Sequence, residues 1–174
     1  MPHILETRRI VLRPAVNEDL PTLSAWEDTK DYLEFVSSQK GAKYFFRFII
    51  ERKRGKGSVP LGILYTFSYN KADGYMFLNI FLDSNHRNAG YGAEACALAI
   101  RHIFESFPVY KIYCDAYSSN PKAVSMMRGI GLEQEGFLKG HRLYNGKRYD
   151  VIRFAVYQRN LCAIEDLLQR IEKR

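Results

Sequence analysis

The alternation of polar and apolar residues in Arg9-Ile10-Val11-Leu12-Arg13 predicts an opening strand, because successive strand side chains face opposite sides. Asn17-Glu18-Asp19 then supplies a cap and an acidic first turn for a helix carrying Leu20, Leu23 and Trp26. A short helical piece is expected near Tyr32 to Val36, and Tyr44 to Ile50, rich in aromatic and β-branched residues, reads as a strand. The turns Lys53-Arg54-Gly55-Lys56-Gly57 and Asn70-Lys71-Ala72-Asp73-Gly74 introduce Val59 to Tyr69 and Tyr75 to Leu82, completing a three-stranded antiparallel meander. Ala93 to Phe104 is dense in small and apolar residues (Ala95, Cys96, Leu98, Ala99, Ile100, Ile103), as a helix pressed closely on a sheet requires. Tyr110 to Ala116 reads as a buried strand, and Pro121 to Gly129 as a helix capped by Asn120 and stopped at Gly131. Phe137-Leu138 and Val151 to Tyr157, with the turn Asn145-Gly146 between them, form a closing pair of strands.

The order β-α-(α)-β-β-β-α-β-α-β-β predicts an α/β (α+β) domain with a mixed central sheet. Asn160 to Arg174 carries Leu161, Ile164, Leu167, Leu168 and Ile171 at helical spacing, an amphipathic helix that either docks on its own domain or makes a subunit contact in a homodimer. The chain thus divides into a domain over residues 1–159 and a helical extension over 160–174. At 174 residues, 47% apolar and 26% charged, one substantial core is expected. No apolar run approaches a membrane span, and Met1-Pro2-His3-Ile4-Leu5-Glu6 lacks the basic and apolar segments of a signal peptide, so a cytoplasmic protein with no membrane partner is expected. Cys96, Cys114 and Cys162 show no metal-ligand spacing and read as buried free thiols. The net charge of +7 favours an anionic ligand without choosing among nucleic acid, an acidic protein and a phosphorylated cofactor.

Arg87-Asn88-Ala89-Gly90-Tyr91-Gly92 narrows that choice. It lies between a strand-like and a helix-like run, and a glycine-bearing turn that opens a helix presents free N–H groups at the positive end of the helix dipole. That arrangement suits a pyrophosphate. A Walker-type site is disfavoured because no Lys-Ser/Thr follows the glycines, and a dinucleotide fold because the turn follows a meander.

These residues resemble the GNAT family of N-acetyltransferases, in particular the branch that acetylates the N-termini of ribosomal proteins. Arg87, Gly90 and Gly92 match the family's Arg/Gln-x-x-Gly-x-Gly/Ala motif. Asn120-Pro121-Lys122-Ala123, Gly131-Leu132 and Glu135-Gly136-Phe137-Leu138-Lys139 are similar to the branch's later elements, and Arg13-Pro14, Glu18-Asp19-Leu20 and Trp26 to its N-terminal signature. The resemblance implies the acyl-CoA N-acyltransferase fold, with a splayed strand pair between Leu78 to Leu82 and Tyr113 to Ala116, and acetyl-CoA as cosubstrate. It also implies pantetheine pairing with backbone at Ile80 and Leu82, and an N–H near Phe81 or Leu82 polarising the thioester carbonyl. The amides of Asn88, Ala89, Gly90, Tyr91 and Gly92 would cradle the pyrophosphate, Arg87 would approach it, and Asn120 would cap its helix and reach the pantetheine arm.

Acetyl transfer needs a neutral amine and a proton for the departing thiolate. A lysine-like amine of pKa about 10.4 is neutral in roughly one molecule per 2,500 at pH 7, an α-amine in roughly a tenth or more. The family's usual catalytic positions align here with Phe77, Met127, Ala123 and Arg142, so no catalytic pair transfers. The replacement candidates are Asp115 near the end of the later splayed strand, Ser118 and Ser119 in the loop before Asn120, Ser125 on the following helix and His141; a water chain is an equal alternative. Asp150 aligns with a recurrent aspartate and is expected to make a structural hydrogen bond. Trp26, Tyr32, Phe35, Tyr144 and Tyr149 are wall candidates for an open acceptor groove. The expected acceptor is a primary amine, on a protein N-terminus or a small molecule, with an amino sugar or antibiotic amine as the alternative. A non-catalytic CoA- or RNA-binding module is the remaining reading, although no RNA-recognition motif supports nucleic acid.

Overall fold

The computed structural model describes residues 4–36, 44–55 and 57–173, without the side chain of Phe35. The strands are β1 (Leu5–Glu6), β2 (Ile10–Pro14), β3 (Tyr44–Arg54), β4 (Gly57–Asn70), β5 (Tyr75–Leu82), β6 (Lys111–Tyr117), β7 (Glu133–Tyr144) and β8 (Lys147–Tyr157). The helices are α1 (Leu20–Glu27), α2 (Lys30–Phe35), α3 (Tyr91–Ser106), α4 (Pro121–Gly129) and α5 (Leu161–Glu172). One eight-stranded sheet runs in the order β1-β2-β3-β4-β5-β6-β8-β7. Every neighbouring pair is antiparallel except β5 and β6.

Strand alternation divides the core between the two faces of the sheet. Met76 and Leu78 from β5 join Ala95 to Ile100 of α3, Met127 of α4, and Ile164 and Leu168 of α5. Phe81 turns to the other face and packs with Leu23 and Trp26 of α1 and Tyr32 of α2. The docked form of the C-terminal helix is therefore the one observed: α5 seats its apolar stripe on the domain's own core, and Glu172 accepts a hydrogen bond from the Arg8 N–H. Cys96 and Cys114 are buried free thiols as expected, whereas Cys162 lies exposed on α5.

The N-terminal helix differs from its sequence pattern. Asn17 to Asp19 form a short 3-10 turn, and Asp19 accepts from the Val16 N–H while Arg13 grips its two oxygens at 2.8 and 2.7 Å. The carboxylate expected to face a helix dipole is thus spent on a guanidinium, and α1 begins only at Leu20. The second helical piece begins at Lys30, two residues earlier than expected, because Thr29 caps it by accepting from the Tyr32 N–H. The closing hairpin is much longer than Phe137-Leu138 and Val151 to Tyr157 suggested. β7 is an edge strand carrying two register irregularities and half exposed along its length, so its apolar alternation is diluted. Asp150 makes the expected structural hydrogen bond, accepting from Gly140 N–H at 2.7 Å. Gly131 ends α4 with φ of +86°, a conformation that favours glycine.

Candidate active site

β5 and β6 pair only at Tyr75↔Lys111, Met76↔Ile112 and Phe77↔Tyr113, and then diverge. Beyond that point each strand stays bonded to its outer neighbour, β5 to β4 as far as Leu82↔Gly62 and β6 to β8 as far as Tyr117↔Val151. Which backbone groups remain follows from the ladders. Asp83 N–H donates to the Leu61 carbonyl, so by antiparallel alternation Phe81 and Asn79 also spend their N–H and C=O on β4, and Ile80 and Leu82 turn theirs into the splay. On the other side Ser118 N–H donates to Asp150, which turns Asp115 and Tyr117 backbone groups towards β5. Leu78 to Leu82 and Cys114 to Tyr117 therefore bound a V whose inner edges lack a strand partner. A cleft of about 880 Å³ fills it, lined by Ile80, Leu82, Asp115, Tyr117, Ser125 and Met126 among others. Ile80 and Leu82, the expected pairing positions, turn their backbone groups into this cleft. Phe81 does not: its N–H faces β4, and its ring is buried against Trp26 and Tyr32.

The glycine turn closes one end of this cleft. Asn88 and Gly90 adopt φ of +67° and +82°, and α3 starts at Tyr91 with no side chain capping it. Its first amides are accordingly open to an anion. Gly92 serves packing as well as approach, since a Cβ there would lie 3.0 Å from Met126 Sδ and 3.3 Å from Leu82 Cδ1. The turn is braced from behind by Arg9, a role the sequence pattern did not reveal: its guanidinium binds the fully buried Glu94, donates to the Ala89 carbonyl at 3.2 Å and lies over the Tyr91 ring. A buried carboxylate in the first turn of α3 is tolerable because Arg9 and Thr7 hydrogen-bond it.

Arg87, expected at the phosphates, lines the cleft beside the turn with its guanidinium engaged within the chain. Its Nε donates to the Leu82 carbonyl at 2.9 Å, and its Nη1 pairs with Asp31 of α2 at 2.8 Å, tying α2 to the cleft wall. Asn120 does cap α4, its Oδ1 accepting from Ala123 N–H at 3.1 Å, and it lines the cleft.

Of the catalytic candidates, Asp115, Ser119 and Ser125 line the cleft, and Ser118 and His141 are not among the lining residues. Asp115 is engaged by Arg153 in a two-pronged pair at 2.8 Å each, which opposes its use as a base. His141 is exposed on the edge strand β7, because strand alternation turns it away from the neighbouring Arg142, whose guanidinium covers the Tyr117 ring and donates to the Leu33 carbonyl of α2. Tyr117 and Asn79 are among the cleft residues that were missed. Tyr117 is buried at the end of β6, and Asn79 lies where β5 has left β6. The signal for both was strand parity, since Tyr117 is two residues beyond Asp115 and Asn79 two beyond Phe77. Behind Asn79, burial pushes the Tyr32 phenol up to about 12 and raises Tyr65 further, so both stay protonated at neutral pH. Among the wall candidates, Trp26 and Tyr32 belong to the core of the α1–α2 face, Tyr144 and Tyr149 stand on the β7–β8 hairpin away from the cleft lining, and the Phe35 side chain lies outside the described residues.

A parallel pair that opens after three residues, with a helix start at the mouth of the opening, defines the fold of the acyl-CoA N-acyltransferases. The chain belongs to the acetyltransferase (GNAT) domain family, whose model matches residues 9–133. Spermidine N(1)-acetyltransferase of Escherichia coli (strain K12) is 25% identical over 117 residues, 67% of this chain and 61% of that protein. The same-named protein of Vibrio cholerae is 28% identical over 114 residues, 64% of this chain and 63% of that one. The aligned part thus spans about three fifths of these relatives. Among solved structures, spermidine N-acetyltransferase from Vibrio cholerae in complex with CoA and spermine superposes with a TM-score of 0.77 at 20% identity, covering 88% of this chain and 98% of that one. An acetyltransferase of the GNAT family from Bacillus anthracis gives 0.75 at 15% identity, covering 90% and 99%.

Proposed function

We propose that this protein is an N-acetyltransferase that moves the acetyl group of acetyl-CoA to a primary amine of a small, cationic molecule. The observation that carries the reading is the uncapped start of α3 at the mouth of a cleft whose two strand edges are unpaired. The amides from Asn88 to Gly92 would bind the pyrophosphate, and Ile80 and Leu82 would bond the pantetheine arm as a missing strand would. In the reaction the amine nitrogen bonds to the thioester carbonyl carbon, the C–S bond breaks, and the thiolate takes up a proton while the former amine loses one. Ile80 N–H is the donor for the carbonyl oxygen as charge gathers on it. Tyr117 is the proposed proton donor to the thiolate: it lines the cleft at the end of β6, and a phenol is a far stronger acid than a serine hydroxyl such as that of Ser125. The proton released by the amine passes to water through the open mouth.

A cationic acceptor is favoured by charge. In a protein of net charge +7, residues 27–34 carry Glu27, Asp28, Asp31 and Glu34 against the single Lys30, and this segment is tied to the cleft-lining residues Phe81 and Arg87 through Tyr32 and Asp31. The names of the relatives support polyamines as the acceptor class to try first. The Glu135 to Lys139 element supports a second reading, a protein N-terminus. An acceptor screen by mass spectrometry with acetyl-CoA separates them: acetylated spermidine or spermine is expected, whereas products only from peptides beginning with Ser, Ala or Met would favour the second. No product from any amine would refute both.

A further inference from the structure

Two of the cleft-facing backbone groups of β5 are already engaged from within the chain. Leu82 C=O accepts from Arg87, and Ile80 N–H donates to the side-chain oxygen of the preceding residue, Asn79, at 2.8 Å. The two contacts differ in consequence. A carbonyl has two lone pairs and can accept a second bond, so Arg87 leaves Leu82 usable; an N–H has one proton, so Asn79 Oδ1 and a thioester oxygen are direct competitors for Ile80. Asn79 is held for this contact, because its Nδ2 donates to the Tyr65 hydroxyl at 3.1 Å. Tyr65 is itself buried, with its phenol held in the protonated form.

We propose that Asn79 is a latch on the carbonyl-polarising N–H of Ile80, closed by its own amide oxygen in the free protein and opened by the acyl group of the bound thioester. The inference rests on the acyl-CoA reading above. The latch keeps a buried donor satisfied between turnovers, which an unpaired N–H in this half-buried strand would not be. It also limits what the acyl group gains: CoA itself, lacking a carbonyl at that point, leaves the latch shut, whereas acetyl-CoA exchanges one hydrogen bond for another, so the latch holds down the preference for the acylated form. Asn79 is thus a positioning residue that sets how strongly the site distinguishes acylated cosubstrate from free CoA.

The test is the ratio of the dissociation constants for CoA and acetyl-CoA, measured by calorimetry without an amine, in the wild type, Asn79→Ala and Asn79→Asp. Removal of the competitor in Asn79→Ala should raise the preference for acetyl-CoA about fivefold, the worth of one neutral hydrogen bond. Asn79→Asp, whose carboxylate holds the N–H more strongly, should lower it below the wild-type value. A merely structural role would weaken both ligands together and leave the ratio unchanged. Unchanged ratios in both variants, or shifts in the same direction, would overturn the latch while leaving the acyl-CoA site standing. Failure of the wild type to bind either ligand would overturn the acyl-CoA reading and the latch with it.

Discussion

Tyr117 and Asp115 stand two residues apart on β6 and share one face of the strand, yet their surroundings give them different chemistry. Asp115 meets Arg153 and is committed to an ion pair, while Tyr117 keeps its phenol at the cleft under the Arg142 guanidinium. If Tyr117 protonates the thiolate, Tyr117→Phe should lower kcat by about 10²- to 10⁴-fold with little change in the KM for acetyl-CoA. Steady-state kinetics at saturating amine checks this, and an unaltered kcat would assign the proton to water. At this scale the sequence was legible where backbone makes the site. The strand through Ile80 and Leu82, the turn at Gly90 and the helix cap at Asn120 are present as the pattern predicted. It was illegible where a side chain's role depends on a distant partner: Arg153 for Asp115, Asp31 for Arg87, Arg9 for Glu94. Gly92 is an intermediate case, because a motif glycine suggests room for a ligand, while its contact with Met126 means that any side chain there also disturbs the packing of α3 on α4.

The elements that hold the cleft open are joined by charge as well as by apolar packing. Arg13 on β2 bonds both Asp19, before α1, and Glu51 on β3, and these hydrogen bonds hold the Asp19 carboxyl below its ordinary value. A carboxylate depressed in the folded state stabilises the fold above its unfolded pKa, and that contribution disappears as pH falls through the folded value. Asp19→Asn should therefore lower the melting temperature by a few degrees near pH 7, with the gap to wild type closing as pH falls below the ordinary carboxylate range. Thermal melts across that range decide the matter; a gap that persists at the acid end would mean that Asp19 acts through its shape and not its charge. Elements were easiest to read where periodicity was undiluted. The strand-and-helix run from Tyr75 to Phe104 has one fully buried side and was recognisable. The edge strand β7, half exposed on both faces and bulged twice, was reduced to Phe137-Leu138, and β1, two residues long, left no periodic signal at all.

On the scale of the whole molecule, the mixed sheet places a helix start, a strand gap and a carboxylate-rich helical segment around one cleft. A net charge of +7 that by itself chose no ligand acquires a direction in the open amides at the start of α3. Membrane insertion through a helix has no candidate, since among the described residues no helix is long and apolar enough to span a bilayer. The central claim is that the turn from Asn88 to Gly92 holds the pyrophosphate of CoA, and Asn88→Asp tests it most directly. Asn88 is exposed with φ of +67°, a conformation aspartate also tolerates, so the change adds a charge of the wrong sign without altering shape or packing. CoA titrated calorimetrically into this variant should bind about tenfold or more weakly than into wild type, by electrostatic repulsion, at an unchanged melting temperature. Equal affinity in the two proteins would contradict the account and put the phosphates elsewhere.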